Sequence, residues 1–137
     1  MMTKVQSSPI GGKRIEEWDR LWEPVPEGLT RYHPELRHKV GLYRVFLGNK
    51  ISALGTGVGR NGGLAKRLSD FRRPSSSGRR HYAGRLIREH LDELRVEVLI
   101  TGFDAHAREV AMQVKPLMIR RHRPAWTVPN SPFVRTR

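Results

Sequence analysis

The sequence predicts a mixed α/β (α+β) domain with a small three-stranded antiparallel sheet flanked by helices. The β-prone runs VGLYRVFL and KISAL are joined by Gly48-Asn49, a two-residue link typical of a β-hairpin. A third strand is predicted for LRVEVLI, which alternates and is rich in β-branched residues. Apolar residues recur with a helical period in the segments around these strands. The predicted order is α, β, β, α, α, β, α, with no internal repeat.

Four segments carry that helical period. In IEEWDRLW, the apolar positions Ile15, Trp18, Leu21 and Trp22 fall on one helical face, and the prolines that follow end the helix. Two tryptophans at this spacing favour an anchor onto the core over a ligand cage. The other helices are predicted over NGGLAKRLSDF, HYAGRLIREHLDEL and DAHAREVAMQVKPLMIRRH, the last beginning at an Asp104 cap. A basic, flexible loop, RRPSSSGRR, is predicted between the second and third helices.

The length of 137 residues is that of one domain. We expect residues 1–39 to form an N-terminal extension with one amphipathic helix, its first 14 residues being a mobile leader. Residues 40–130 form the predicted domain, and residues 131–137 a basic C-terminal tail.

The charge balance points to a polyanionic partner. With 26 Lys and Arg against 13 Asp and Glu, the formal net charge is +13, which favours nucleic acid and leaves a solubilising or ribosome-like surface charge as the alternative. There is no cysteine, so disulfides, zinc ribbons and thiol nucleophiles are excluded. The N-terminus lacks the apolar run of a secretory signal, and no stretch is apolar enough for a membrane span. These features predict a cytoplasmic protein, able to associate with a nucleoid, that has no membrane partner.

The basic residues are clustered in two stretches. Ten Lys or Arg lie between Arg60 and Arg95 against four acids, and five arginines follow Ile119 with no acid. Arginine suits phosphate because its guanidinium group pairs with two phosphate oxygens. The residues predicted to contact nucleic acid are Arg60, Lys66, Arg72, Arg73, Arg79, Arg80, Arg85, Arg120, Arg121 and Arg123.

The glycine-rich segment GTGVGRNGG raises the question of a nucleotide-binding loop. It lacks the GxxxxGK[ST] pattern, so a flexible link that brings backbone close to DNA is the favoured interpretation. The histidines have no H-x-x-x-H or H-E-x-x-H spacing and are not predicted to bind metal.

Between Val40 and Asn130 several motifs occur in one order. They are a hairpin opening on Gly-Leu-Tyr, a second strand ending in glycine, Leu64-Ala65-Lys66-Arg67-Leu68 on a helix, a third strand, and a last helix closing on Ile119-Arg120-Arg121-His122-Arg123-Pro124. In these motifs, which span about two thirds of the chain, the sequence resembles the GIY-YIG nuclease family.

The resemblance implies hydrolysis of a phosphodiester with one divalent metal, Mg²⁺ or Mn²⁺. Tyr43 matches the hairpin tyrosine that helps to orient or deprotonate water, and Arg67 matches the helix arginine that stabilises charge on phosphate. Each also has a simpler interpretation, because Tyr43 can be an ordinary strand aromatic and Arg67 one of many phosphate-facing cations.

Three positions depart from the family pattern. Lys115 stands where the metal-binding glutamate belongs, and a charged lysine repels Mg²⁺. Ala53 or, in a second alignment, Gly55 stands where the second tyrosine belongs, and Phe71 stands where many relatives have histidine. The metal ligand is therefore unknown. Candidates for a relocated carboxylate are Glu97, Asp104 and Glu109, the last of which would need the helix to break at Pro116 to face position 115.

The expected function is nucleic-acid binding, to duplex DNA, with cleavage lost or altered. One alternative is an active metal-dependent DNA endonuclease with a relocated carboxylate, which alone would require Mg²⁺ or Mn²⁺. The other is a basic RNA-binding protein.

Overall fold

A computed structural model of the protein describes residues 8–60, 62–73 and 82–126. Its strands are β1 (Glu23–Val25), β2 (Val40–Leu47), β3 (Lys50–Gly57) and β4 (Leu94–Gly102), in the antiparallel order β1-β4-β2-β3. The mixed α+β class is confirmed, but the predicted number of three strands is wrong. The additional strand β1 pairs with β4 at the sheet edge, where Pro24 is tolerated because an edge strand needs fewer N–H donors.

The described helices are α1 (Ile15–Trp18), α2 (Gly63–Asp70), α3 (Tyr82–Glu89) and α4 (Ala105–His122), with 3₁₀ turns at Pro34–Leu36 and Leu91–Glu93. The first helix is shorter than predicted and ends before Leu21, which is exposed. Both tryptophans nevertheless pack in the same hydrophobic cluster, in agreement with an anchor onto the core.

Two hydrophobic clusters cover the two faces of the sheet. Alternate side chains of a strand point to opposite faces, so Tyr43 and Val45 face α2 and α3, whereas Leu42 faces α1 and α4. Residues before Val40 contribute to both clusters. The contributors are Val25, Leu29 and Leu36 in the first cluster and Ile15 and Trp18 in the second.

The last helix begins where the sequence predicts. The Asp104 side chain accepts a hydrogen bond from the Ala107 N–H at 2.8 Å, and the helix continues through Pro116 without a break. The hairpin is also confirmed, but β3 runs to Gly57, so the first glycines of GTGVGRNGG belong to a strand rather than to a flexible link. In the described part of the chain, no helix has both the length and the apolar character needed to span a membrane.

Three loops meet at one end of the sheet because of the antiparallel pairing. The start of β2 lies beside the ends of β3 and β4, as the pairs Gly41–Gly57 and Val40–Gly102 show. The loops that precede β2 and follow β3 and β4 are thereby neighbours, although they are far apart in sequence. Thr101 Oγ1 lies within hydrogen-bond distance of the Val40 and Ala107 carbonyl oxygens, which fixes the start of α4 against the start of β2.

Candidate nucleic-acid interface

The structure brings Tyr43 and Arg67 together. The Arg67 guanidinium carbon lies 5.9 Å from the centre of the Tyr43 ring and 4.7 Å from that of Phe71, and the two rings meet edge to face with centres 5.5 Å apart. Tyr43 is only 5% exposed. Burial raises the pKa of the Tyr43 phenol, and the Arg67 charge and hydrogen bond offset part of that rise. The phenol is therefore neutral at physiological pH and packed within the core.

Lys115 lies away from this pair. It belongs to α4, whose neighbouring residues Val114 and Met118 pack with Leu42 on the other face of the sheet from Tyr43. The sheet therefore separates position 115 from the contact between Tyr43 and Arg67.

The three candidate carboxylates also lie apart from Tyr43. Glu97 pairs across the sheet with Arg44, on the face opposite to Tyr43, and its Oε1 accepts from Arg44 Nε at 2.9 Å and Nη2 at 2.7 Å. Asp104 caps α4, and Glu109 is exposed on that helix. No group of three or more His, Asp or Glu suited to hold a metal ion occurs in residues 8–60, 62–73 and 82–126.

A polar network on the α4 face was not predicted. Asp19 Oδ1 lies 2.7 Å from His122 Nε2 and accepts from Trp22 Nε1 at 2.9 Å, while Oδ2 accepts from Arg121 Nε at 2.9 Å. Burial by itself would raise the pKa of the Asp19 carboxyl, but these hydrogen bonds outweigh it and the pKa is lowered. Arg44 lies next to this network, with Nη1 3.9 Å from Asp19 Oδ1. Its charge inside the apolar run VGLYRVFL was the sequence signal that polar partners lie on this face of the sheet.

Several basic side chains line a surface at the loop end of the sheet, which we call the basic groove. It consists of two adjoining depressions that share His38, of about 500 Å³ and about 350 Å³. The first is lined by Tyr32, Arg37, His38, Gly62, Lys66, Ser69 and Arg73. The second is lined by His38, Val40, Gly59, Arg60, Phe103, Asp104, Ala105 and Arg108.

Local structure explains how the first depression forms. Gly62, Lys66, Ser69 and Arg73 are spaced by three or four residues, which puts them on one face of α2 and its flanks. The opposite wall is held by a hydrogen bond from Leu64 N to the Lys39 carbonyl at 2.8 Å. This close approach requires Gly63, which has φ +54°, because a Cβ there would lie 2.2 Å from the Lys39 oxygen.

The charge of the basic groove is strongly unbalanced. The two depressions together are lined by five Lys or Arg and by one acid, Asp104, whose carboxylate is engaged as the cap of α4. Lys66 and Arg73 also flank Asp70, with Lys66 Nζ 3.4 Å from its carboxylate. Arg37, Arg60 and Arg108 leave an excess of positive charge facing solvent.

The predicted contact residues are only partly brought together. Arg60, Lys66 and Arg73 line the basic groove. Arg72 is half-buried after α2, and Arg85 is exposed on α3. Three further arginines (Arg120, Arg121 and Arg123) lie at the C-terminal end of α4, about 18 Å along the helix from Arg108. Arg79 and Arg80, with the tail at residues 131–137, lie outside the described residues.

Several residues of the basic groove were not predicted from the sequence, namely Arg37, His38 and Arg108 and the two exposed aromatics Tyr32 and Phe103. The run Arg37-His38-Lys39 was a usable signal, since three consecutive basic residues precede the hairpin. The exposure of the aromatics had no comparable signal.

Residues 57–62 also have the spacing GxGxxG, which in dinucleotide-binding domains precedes a phosphate-binding helix. Here the preceding strand belongs to an antiparallel hairpin. The Leu64 N–H at the start of α2 already donates a hydrogen bond to the Lys39 carbonyl. The segment therefore lacks the structural context of a dinucleotide site.

Comparison with known proteins adds no relative. No family model, no curated protein and no solved structure matches this chain.

Proposed function

We propose that this protein binds nucleic acid through the basic groove, with its Lys and Arg side chains contacting backbone phosphates. The observation that carries the proposal is that five cations line two adjoining depressions with one acid, Asp104, which is engaged as the cap of α4. The net charge of +13 supports the proposal, because the positive electrostatic field of such a protein attracts polyanions over a long range.

We also propose that the domain derives from a GIY-YIG-like nuclease and no longer cleaves by metal catalysis. The adjacency of Tyr43 and Arg67 supports the ancestry. Burial of Tyr43 and the position of Lys115 beyond the sheet support the loss of cleavage. No observation on the described residues favours a relocated carboxylate. Glu97 is paired with arginines, Asp104 caps a helix, and Glu109 is exposed on α4, which packs on the other face of the sheet from Tyr43.

The binding proposal predicts a change in salt dependence. Replacing Arg37, Arg60 and Arg108 with Ala should reduce the slope of log affinity against log salt for duplex DNA by about 0.9 for each phosphate that the variant no longer neutralises. The matched control replaces Lys50, Arg85 and Arg120, three exposed cations outside the groove, and removes the same charge. Fluorescence anisotropy across a salt series gives both slopes. Equal reductions in the two variants would show that binding is not confined to this groove.

The loss of cleavage predicts that plasmid DNA stays supercoiled when incubated with the protein and Mg²⁺ or Mn²⁺. Tyr43→Phe provides the comparison, since it removes only the phenolic hydroxyl. Metal-dependent nicking by the wild-type protein that disappears in Tyr43→Phe would contradict the proposal and favour the active endonuclease.

A further inference from the structure

Two exposed aromatic rings stand in the walls of the basic groove. Phe103 is 75% exposed in one depression, and Tyr32 is 41% exposed in the other. Among the described residues, the other exposed large hydrophobic side chains are Leu21 and Met112, which are aliphatic and line neither depression. Aromatic exposure therefore coincides with the cationic surface.

The backbone on each side of Phe103 is fixed. Gly102 has φ +145°, and a Cβ there would lie 2.7 Å from the Ala107 Cβ, so the chain turns tightly against α4. On the other side, Asp104 accepts the Ala107 N–H and begins the helix. Phe103 is thus presented to solvent by a rigid turn, which lowers the entropic cost of using its ring for binding.

Tyr32 is held in a comparable way. The Arg31 guanidinium donates to the Tyr32 carbonyl at 2.8 Å and pairs with Glu27 at 3.0 Å. The next residue, His33, is buried, with Nε2 2.5 Å from the Gly28 carbonyl oxygen. The chain is therefore anchored on both sides of the exposed ring.

A surface that combines cations with exposed aromatic rings has the features of a site for single-stranded nucleic acid. Unpaired bases offer flat faces that stack on aromatic rings, whereas the bases of a duplex are already stacked on one another. Contacts to phosphate alone need no aromatic side chain. The α2 wall from Gly62 to Arg73 is about 16 Å long, the length of roughly five nucleotides of a stacked strand.

We propose that the basic groove binds a single strand, DNA or RNA, with unpaired bases stacked on Phe103 and Tyr32 and phosphates held by the neighbouring cations. The inference rests on the proposed function and deepens it, because it changes the expected ligand from duplex DNA to unpaired nucleotides.

The test compares three probes of equal phosphate number in fluorescence anisotropy at one salt concentration: a dT oligonucleotide, an abasic deoxyribose-phosphate oligomer and a DNA duplex hairpin. The dT oligonucleotide should bind most tightly. Phe103→Ala should weaken it about 5- to 150-fold, the range measured for losing one stacked base, and leave the abasic oligomer unaffected. Phe103→Trp should retain binding, because a larger aromatic face is kept.

Met112→Ala is the matched control, since Met112 is 57% exposed and lies outside the groove. Phe103→Ala should also leave the salt slope unchanged, as it removes no charge. An rU oligonucleotide measured beside dT identifies which sugar the groove prefers, and tight binding of either one supports the proposal.

Three results would overturn the inference while leaving the proposed function in place. They are equal affinity for the abasic and dT oligomers, a preference for the duplex that Phe103→Ala does not alter, and undiminished dT affinity in Phe103→Ala. Failure to bind any of the probes would instead refute nucleic-acid binding itself.

Discussion

At the residue scale, the contact between Tyr43 and Gly55 shows how one absent side chain positions an aromatic ring. The two residues are direct partners across β2 and β3, and the Tyr43 hydroxyl lies over Gly55. A Cβ at position 55 would be 2.5 Å from that hydroxyl oxygen. On its other side the ring meets Phe71 edge to face, so it has little room to move away.

Gly55→Ala should therefore lower the free energy of unfolding by about 1–3 kcal/mol, the usual cost of overpacking a core. Gly59→Ala is the control, because nothing lies within 4 Å of the added Cβ. It should be neutral or slightly stabilising. Urea unfolding of both variants measures the difference. A Gly55→Ala variant as stable as the wild type would mean that Tyr43 does not occupy this position over β3.

At the scale of elements, Asp19 connects α1 to the C-terminal end of α4. Its carboxylate accepts hydrogen bonds from Trp22, four residues after α1, and from Arg121 in the last turn of α4, and it lies 2.7 Å from His122. Cations in the last turn of a helix also interact favourably with the helix dipole. The short α1 makes few hydrogen bonds of its own, so this network and the packing of Trp18 hold it in place.

The lowered pKa of Asp19 gives this network a pH dependence. A carboxyl whose pKa is lower in the folded state stabilises the fold above its unfolded pKa, and that contribution is lost as pH falls through the folded value. Near neutral pH, Asp19→Asn should cost about 1.5–3 kcal/mol. The difference from wild type should shrink below pH 3.8, the ordinary value for this carboxyl.

Urea unfolding at several pH values tests this, with Asp92→Asn as a control at an exposed acid in the 3₁₀ turn Leu91–Glu93. A difference between Asp19→Asn and wild type that stays constant down to about pH 2 would show that the carboxylate charge contributes nothing.

At the scale of the whole molecule, the net charge of +13 opposes the compact state. Like charges held within one small domain repel one another, and the repulsion is reduced only by counterions or an anionic partner. The basic groove adds to this cost because Arg37, Arg60 and Arg108 face it together. The same surface that favours nucleic acid should therefore destabilise the free protein.

Raising NaCl from about 10 mM to about 150 mM shortens the screening length from about 30 Å to about 8 Å. We expect the melting temperature to rise over this range, and to rise less in the variant with Arg37, Arg60 and Arg108 changed to Ala. Differential scanning fluorimetry measures both. A melting temperature that falls with NaCl would indicate that attractive ion pairs outweigh the repulsion.

The sequence by itself determined the features that depend on neighbouring residues. The hairpin follows from two β-prone runs around Gly48-Asn49, and the start of α4 from an Asp104 cap before a helical period. The net charge needs no structure at all. The sequence signal was weaker where the periodic segment was short. As a result α1 was predicted too long, and the three-residue β1, which contains a proline, was not predicted as a strand.

Only the tertiary structure decided which residues form a site. Strand pairing places the loops around His38, Arg60 and Phe103 at one end of the sheet, and no local pattern encodes that proximity. The same pairing puts Tyr43 and Lys115 on opposite faces, although a family pattern would join them. Exposure of Phe103 has the same origin, because whether an aromatic residue is buried depends on what packs against it. Periodicity shows which residues share one face of a helix or strand. The assembled sheet determines which other residues pack against that face.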